Sequence, residues 1–188
     1  KVCPVQFPVD AGAGFNSFVD VVKMKMYRFS DDNGSREELD IPADLKDRAE
    51  TMHAELAERA AEADEPLMEK FFESETLTED EMREGIRKGL VSCSIYPIFC
   101  VDALHDMGVQ RLMEFLGNVV PFVSEMPKIR NTRGEEVEAD SNGPTSLYFF
   151  KTSMEPHIGE VSYFKVVSGS VKPGDDLSNA DRGSKERI

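Results

Sequence analysis

One stretch restricts the fold more than any other. From Ala43 to about Ala63, apolar residues recur at Leu45, Ala49, Met52, Leu56, Ala60 and Ala63, with Asp, Glu and Arg filling the other faces. Intervals of three and four place these six residues on one side of a helix. Pro42 stands where a helix first turn tolerates proline. After Glu65-Pro66 a short helix is expected to carry Leu67, Met68, Phe71 and Phe72. Thr78 with Glu81 forms a capping-box pattern, and Met82 and Ile86 mark one face of a third helix. Residues 40–90 therefore read as an acidic helical block that the rest of the fold must accommodate.

On either side the period changes. From Phe18 to Phe29 the second half alternates, with Val22, Met24 and Met26 on one face and Lys23 and Lys25 on the other, which is strand periodicity. Asn33-Gly34 is a turn signal ahead of "ELDI", so a hairpin is expected there. Ile95 to Phe99 is apolar but interrupted by Pro97, and reads equally as a buried strand or a loop. Gly108 to Val120 carries Val109, Leu112, Met113, Leu116 and Val119 at helical spacing, and Pro121 ends it. Residues 127–144 are polar and rich in breakers, as a linker would be. Beyond them the text is dense in Tyr, Phe and Val with glycines at 159, 169 and 174, as in the opening strands of a β-barrel. Residues 145–188 fall short of the ~60 that support an isolated domain, so this part is expected to be truncated or to depend on a neighbour. The opening "KVCPVQFPVDAG" has no Met and starts in an apolar stretch, as expected for a piece of a longer protein.

Charge and cysteine content narrow the function. There are 22 Lys and Arg against 36 Asp and Glu, a formal charge of -14. A surface that grips DNA or RNA through phosphates is basic, so the helical block suits a protein contact better. No apolar run approaches the ~20 residues of a membrane helix, and no signal peptide is visible. Cys3, Cys93 and Cys100 lack metal-like spacing and read as reduced thiols of a cytoplasmic protein.

The chemistry-bearing motifs are sparse. No GxxxxGK[ST] occurs. D-x-x-G matches at Asp31 to Gly34 and Asp140 to Gly143 fall in turn-like text. Glu55, Glu58 and Glu62 sit on the polar face of a helix, and His53, His105 and His157 are scattered. Cys93 and Cys100 read as small apolar residues. Met24, Met26, Met52, Met68, Met82 and Met113 fall on expected core faces. No catalytic residue and no metal site emerge, and from its chemistry alone the chain is not an enzyme.

The pattern as a whole nevertheless resembles a known family, the translational GTPase elongation factor G. "AAEADEPLMEKFF" followed by "LTEDEMREGIRKG" is similar to that family's inserted helical subdomain, and "MGVQRLMEFLGNVVPFVSEMP" to the closing helix of its G domain. Gly159, Tyr163, Lys165, Val166, Ser168, Gly169, Gly174 and Asp175 match the G-x-x-x-Y/F-x-K/R-V-x-S-G-x-x-x-x-G-D pattern that opens its barrel domain II. The resemblance implies an α+β or α/β chain. Residues 1–126 would be the end of a P-loop GTPase-type G domain with the helical insertion at about 18–94. Residues 127–144 would be a linker and 145–188 a truncated barrel. The phosphate loop, magnesium-binding elements and base-reading motif would precede Lys1, so GTP or GDP and magnesium belong to an intact parent and none is expected for these residues. The implied partner is the ribosome: its stalk proteins through the acidic helices, its small subunit through domain II.

In the family, the strand end matching Cys100 to Leu104 carries a Gly-Ser-Ala-Phe/Leu loop whose backbone N–H groups donate to the guanine oxygen. Here the matching residues are Val101, Asp102, Ala103 and Leu104. The resemblance thus implies guanine binding by the backbone of Asp102, Ala103 and Leu104. Two readings of the departures stay open. A carboxylate beside a carbonyl oxygen brings two acceptors together, and Val101 lacks the freedom of glycine, giving a diverged paralogue with weak or altered nucleotide binding. Alternatively the Asp102 side chain points outward and the backbone still donates. The first reading leads to a ribosome-associated interaction module with a vestigial guanine site. A free-standing helical scaffold would have no reason to carry the Gly159 to Asp175 pattern.

Overall fold

Five short strands open the chain: β1 (Val2–Pro4), β2 (Gln6–Pro8), β3 (Ser17–Asp20), β4 (Lys25–Phe29) and β5 (Arg36–Leu39). The last four form an antiparallel sheet in the order β2-β3-β4-β5. The structure, a computed structural model, describes residues 1–30, 34–131 and 133–188. The turn signal at Asn33 and the start of the first D-x-x-G match lie outside the described residues, though β4 and β5 pair as a hairpin would.

Phe18 to Phe29 is not one strand. It is a hairpin whose chain reverses at 21–24, with Met24 in the left-handed region at φ 53°. The reason lies in Asp20, whose carboxylate accepts the N–H groups of Val22 at 3.0 Å and Lys23 at 2.9 Å. A side chain that satisfies two successive amides folds the backbone back on itself. The alternation of Val22, Met24 and Met26 spans a turn.

Three helices follow, α1 (Ala43–Ala61), α2 (Glu65–Ser74) and α3 (Glu79–Val91). In α1 the buried residues are Ala49, Leu56, Ala57, Ala60 and Ala61, a stripe with little bulk. Such a stripe lets α3 approach closely: a Cβ on Gly85 would meet the Ala60 carbonyl oxygen at 2.4 Å. The capping box of α3 is formed in both directions between Thr78 and Glu81. Lys70 reaches Glu81 at 2.6 Å and Lys88 reaches Asp64 at 2.9 Å, which ties α2 to α3. Phe72, expected on an apolar face, is exposed.

β6 (Tyr96–Ile98) resolves the ambiguity of Ile95 to Phe99: it pairs in parallel with β1, Val2 opposite Tyr96 and Pro4 opposite Ile98. Then comes α4 (Val109–Asn118). Cys3, Val5 and Phe7 share one apolar core with Ala49, Leu56, Ala60, Met82, Ile86 and Val119. The helical block is therefore packed into the same core as its flanking strands, within a unit that runs Lys1–Glu125.

The remaining unit, Met126–Ile188, holds β7 (Ile129–Arg130), β8 (Glu136–Val137), β9 (Ser146–Glu155), β10 (Gly159–Ser168), β11 (Asp176–Ser178) and β12 (Lys185–Arg187). Residues 127–144 are thus more than a linker, since β7 and β8 form a short hairpin within them. β9 and β10, ten residues each, pair as a hairpin with irregularities in its register, and Phe149 stacks obliquely on Phe164 at 5.3 Å. Among the described residues the strands of this unit pair two by two, and no sheet closes into a barrel. At Asp140 the D-x-x-G text is a turn, the Gly143 N–H donating to the Asp140 carbonyl at 3.1 Å. No helix among the described residues is long and apolar enough to cross a membrane.

Candidate functional site

The loop between β6 and α4 lies where an α/β unit offers backbone groups to a ligand, beyond the carboxyl end of a parallel strand. Its strand end is fixed from β2: the buried Gln6 side chain accepts the Cys100 N–H at 3.1 Å. Its helix end is fixed at Gly108, which has φ 80° and whose added Cβ would meet the Cys100 carbonyl oxygen at 2.5 Å. Only glycine satisfies both requirements. Between these points Asp102 and Met107 exchange both backbone hydrogen bonds at 2.9 Å. The loop is a closed turn. Val101 is not among the left-handed residues; Asp106 is, at φ 57°. The demand for backbone freedom therefore falls at 106 and 108 rather than at 101.

The Asp102 side chain neither points outward nor projects from the loop. One carboxylate oxygen accepts the N–H of Leu104 at 3.0 Å and of His105 at 3.3 Å, and the other meets His105 Nδ1 at 2.7 Å. The His105 side chain, with these amides, holds the Asp102 carboxyl below the usual carboxylate range, against the smaller effect of desolvation. Of the three amides expected to donate outward, that of Asp102 is spent on Met107 and that of Leu104 on the carboxylate. Ala103 and Leu104 are both exposed, Leu104 at 86 %.

A second group of charges braces the loop through α4. Arg111 Nη2 lies 2.6 Å from Asp20 Oδ2 and Nε lies 3.2 Å from the same oxygen. Asp20 is 2 % exposed and Arg111 9 %. Arg111 also pairs with Glu114, which takes a second guanidinium from Arg36 of β5 at 2.9 Å. Both guanidinium groups face the Tyr27 ring, at 5.1 Å for Arg36 and 5.5 Å for Arg111. Burial pushes the Tyr27 hydroxyl up to about 12; Arg111 opposes the shift, and its 3.0 Å bond to Glu38 adds to it. Burial alone would lower the Arg111 pKa, but Asp20 and Glu114 outweigh it and the net shift is upward. Gly34, in the β4–β5 connection, lies so close to the loop that a Cβ there would meet Asp106 Oδ2 at 2.8 Å.

Several features depart from the sequence reading. The face of α4 turned inward is Arg111, Phe115 and Val119, while Met113, expected in the core, is 60 % exposed and Leu116 is exposed too. Phe115 meets Phe99 edge-on at 4.8 Å. The residues that hold the loop, Gln6, Asp20, Arg36, His105 and Arg111, carried no motif. His105 alone had a local signal, its three-residue spacing from Asp102. Cys93, expected to be a small apolar filler, is exposed with φ 55°, whereas Cys100 is half-buried and burial raises its thiol pKa. His53 Nδ1 lies 2.7 Å from the Val21 carbonyl oxygen, and His157 sits at the left-handed turn between β9 and β10. Among the described residues no group of three or more His, Cys, Asp or Glu could hold a metal ion.

No family model matches the chain. A solved structure does: the crystal structure of ttk003000868 from Thermus thermophilus is similar to it at a TM-score of 0.68 with 26 % sequence identity. The likeness covers 100 % of this chain but only 26 % of the Thermus chain, so the 188 residues correspond to about a quarter of that protein's length. This chain is an α+β protein whose fold recurs within a much longer one.

Proposed function

We propose that these residues are part of an elongation factor G-like translation factor, which binds the ribosome and promotes GTP-dependent translocation of tRNA and mRNA. In this reading Lys1–Glu125 is the end of a P-loop GTPase-type G domain with its helical insertion, and Met126–Ile188 begins the barrel of domain II. The observation that carries it is the Cys100–Gly108 loop: a turn at the carboxyl end of a parallel strand, feeding a helix, on the residues where the sequence resemblance sets a guanine loop. Two further features support it. Parallel strands belong to sheets covered on both faces, yet Tyr96 and Ile98 of β6 are exposed, as they would be if further strands and helices of a parent completed the sheet. The Gly159 to Ser168 part of the domain II pattern forms strand β10.

Phosphates and magnesium would be held by parts of the parent outside these residues. The acidic helices α1–α3 would face the ribosomal stalk proteins, since an acidic surface suits a protein contact better than an RNA contact. Sedimentation of the intact parent with ribosomes tests the reading. Binding that rises with GTP, with GTP-driven movement of mRNA, is expected; a parent that ignores ribosomes under both conditions refutes it. One observation favours a second reading, a ribosome-associated module with a vestigial guanine site: the Asp102 carboxylate already holds the Leu104 amide. Binding to ribosomes that is indifferent to GTP would support that alternative.

A further inference from the structure

We infer that Asp102 is an internal ligand of its own loop, its carboxylate occupying the Leu104 amide that would otherwise be open to the carbonyl oxygen of a purine base, and that it thereby weakens guanine binding at this site. The inference rests on reading the Cys100–Gly108 turn as a base-binding loop, and it goes beyond that reading by assigning the loop a built-in competitor. A turn of this kind has few outward amides. Asp102 N–H is committed to the Met107 carbonyl at 2.9 Å. Leu104 N–H and His105 N–H both point at Asp102 Oδ1, at 3.0 and 3.3 Å. An incoming carbonyl must displace the carboxylate from Leu104 or settle for Ala103. A carboxylate is the stronger acceptor, and here it is covalently tethered.

His105 tightens the arrangement. Its Nδ1 lies 2.7 Å from Asp102 Oδ2, so swinging the carboxylate away breaks contacts at both oxygens. A departed carboxylate would also stand near the base oxygen, acceptor against acceptor, wherever it came to rest in so short a turn. The residue that hinders a 6-carbonyl does not hinder a 6-amino group in the same way, because an amine donates. Asp102 thus disfavours guanine relative to adenine without providing an adenine site of its own.

The test uses the intact parent in three forms, native, Asp102→Asn and Asp102→Ala, titrated with GDP and with ADP. Amide exchange at Leu104 and His105 is followed by NMR in the same samples. The expected result is slow exchange at both amides in the native protein and fast exchange in Asp102→Ala. GDP affinity rises at least about tenfold in Asp102→Ala, with Asp102→Asn between, while ADP affinity does not move. Equal GDP affinity in all three forms overturns the competition and leaves the base-loop reading standing. Absence of GDP binding in every form, with the Asp102→Ala exchange pattern otherwise native, overturns the base-loop reading and the competition with it. Unprotected Leu104 and His105 amides in the native protein overturn the internal ligand directly.

Discussion

Arg111→Met is the substitution on which the description of this unit can most readily fail. Among the described residues the guanidinium is the sole side chain given to Asp20 Oδ2, whose other oxygen takes the amides of Val22 and Lys23. Methionine keeps the length and bulk of the arginine stem while removing every donor. The Asp20 carboxylate is then left charged and out of water, and Glu114 retains only Arg36. Removing one partner of a buried pair costs about 3–5 kcal/mol. The two remaining amide bonds to Asp20 put this case at the lower end, about 3 kcal/mol. For a unit the size of Lys1–Glu125, unfolding entropy of ~2.1 cal/mol/K per residue turns that into a midpoint lowered by about 12 °C.

The four helices α1–α4 lie in Lys1–Glu125, so loss of the far-ultraviolet helix band on heating reports this unit and not its neighbour. Adding Asp20→Asn to Arg111→Met removes the stranded charge. The double variant is expected to melt above the single one, the signature of coupling between the two sites. An Arg111→Met midpoint within about 3 °C of the parent, or a double variant no better than the single, refutes the placement of a buried ion pair at the root of α4.

Other substitutions probe the remaining contacts. Gly85→Ala puts a Cβ against the Ala60 backbone and has to separate α1 from α3, so a loss of about 1–3 kcal/mol in chemical denaturation is expected. Thr78→Ala removes the capping hydroxyl of α3 and costs about 1 kcal/mol by the same measurement. Glu81 is held down to about 2, first by Lys70 and then by the Thr78 amide and hydroxyl. Its folded pKa lies below the ordinary 4.5, so its contribution is complete above about 4.5 and is lost as pH falls towards about 2; NMR titration of its carboxyl carbon reads this directly. Gly108→Ala combines a positive φ with a clash on the Cys100 carbonyl, and amide exchange is expected to quicken from Asp102 to Met107.

The parts of the fold legible in the sequence are those whose causes are local. The stripe of α1, the proline and acidic start of α2 and the Thr78–Glu81 box each act within a few residues, and each element stands within two residues of where its signal lies. What escaped was set by distant partners. The alternation through Val22 and Met26 looks like a strand until Asp20 is seen to fold the chain back. Asp20 can stay buried because Arg111, 91 residues on, neutralises it. For the same reason α4 turns Arg111 inward beside Phe115 and Val119 and leaves Met113 and Leu116 outside, because the buried Asp20 carboxylate needs the guanidinium. In the loop, the sequence raised the right residue but offered only two orientations for Asp102. The third, back onto the loop's own amides, requires the tightness that Gly108 and the Met107 pairing impose.

These connections also decide whether the helical block is a detachable insertion. The sequence invites that view, with residues 18–94 looped out between elements of one sheet. A detachable insertion would leave strands and helix behind with their surfaces satisfied. Here residues 18–94 contain Asp20 and Arg36, two of the charges that hold Arg111 and Glu114, and Val21, whose N–H donates to the Val5 carbonyl at 3.0 Å. Ala49, Leu56 and Ile86 complete a core begun by Cys3 and Val5. Excising residues 18–94 would leave Arg111 with Glu114 as its remaining partner among the described residues and open the core beside β1. Ion pairs from β3 and β5 to α4, and core contacts from α1 and α3 to the β1 region, therefore tie residues 18–94 to the elements on either side of them, and the segment is no detachable insertion.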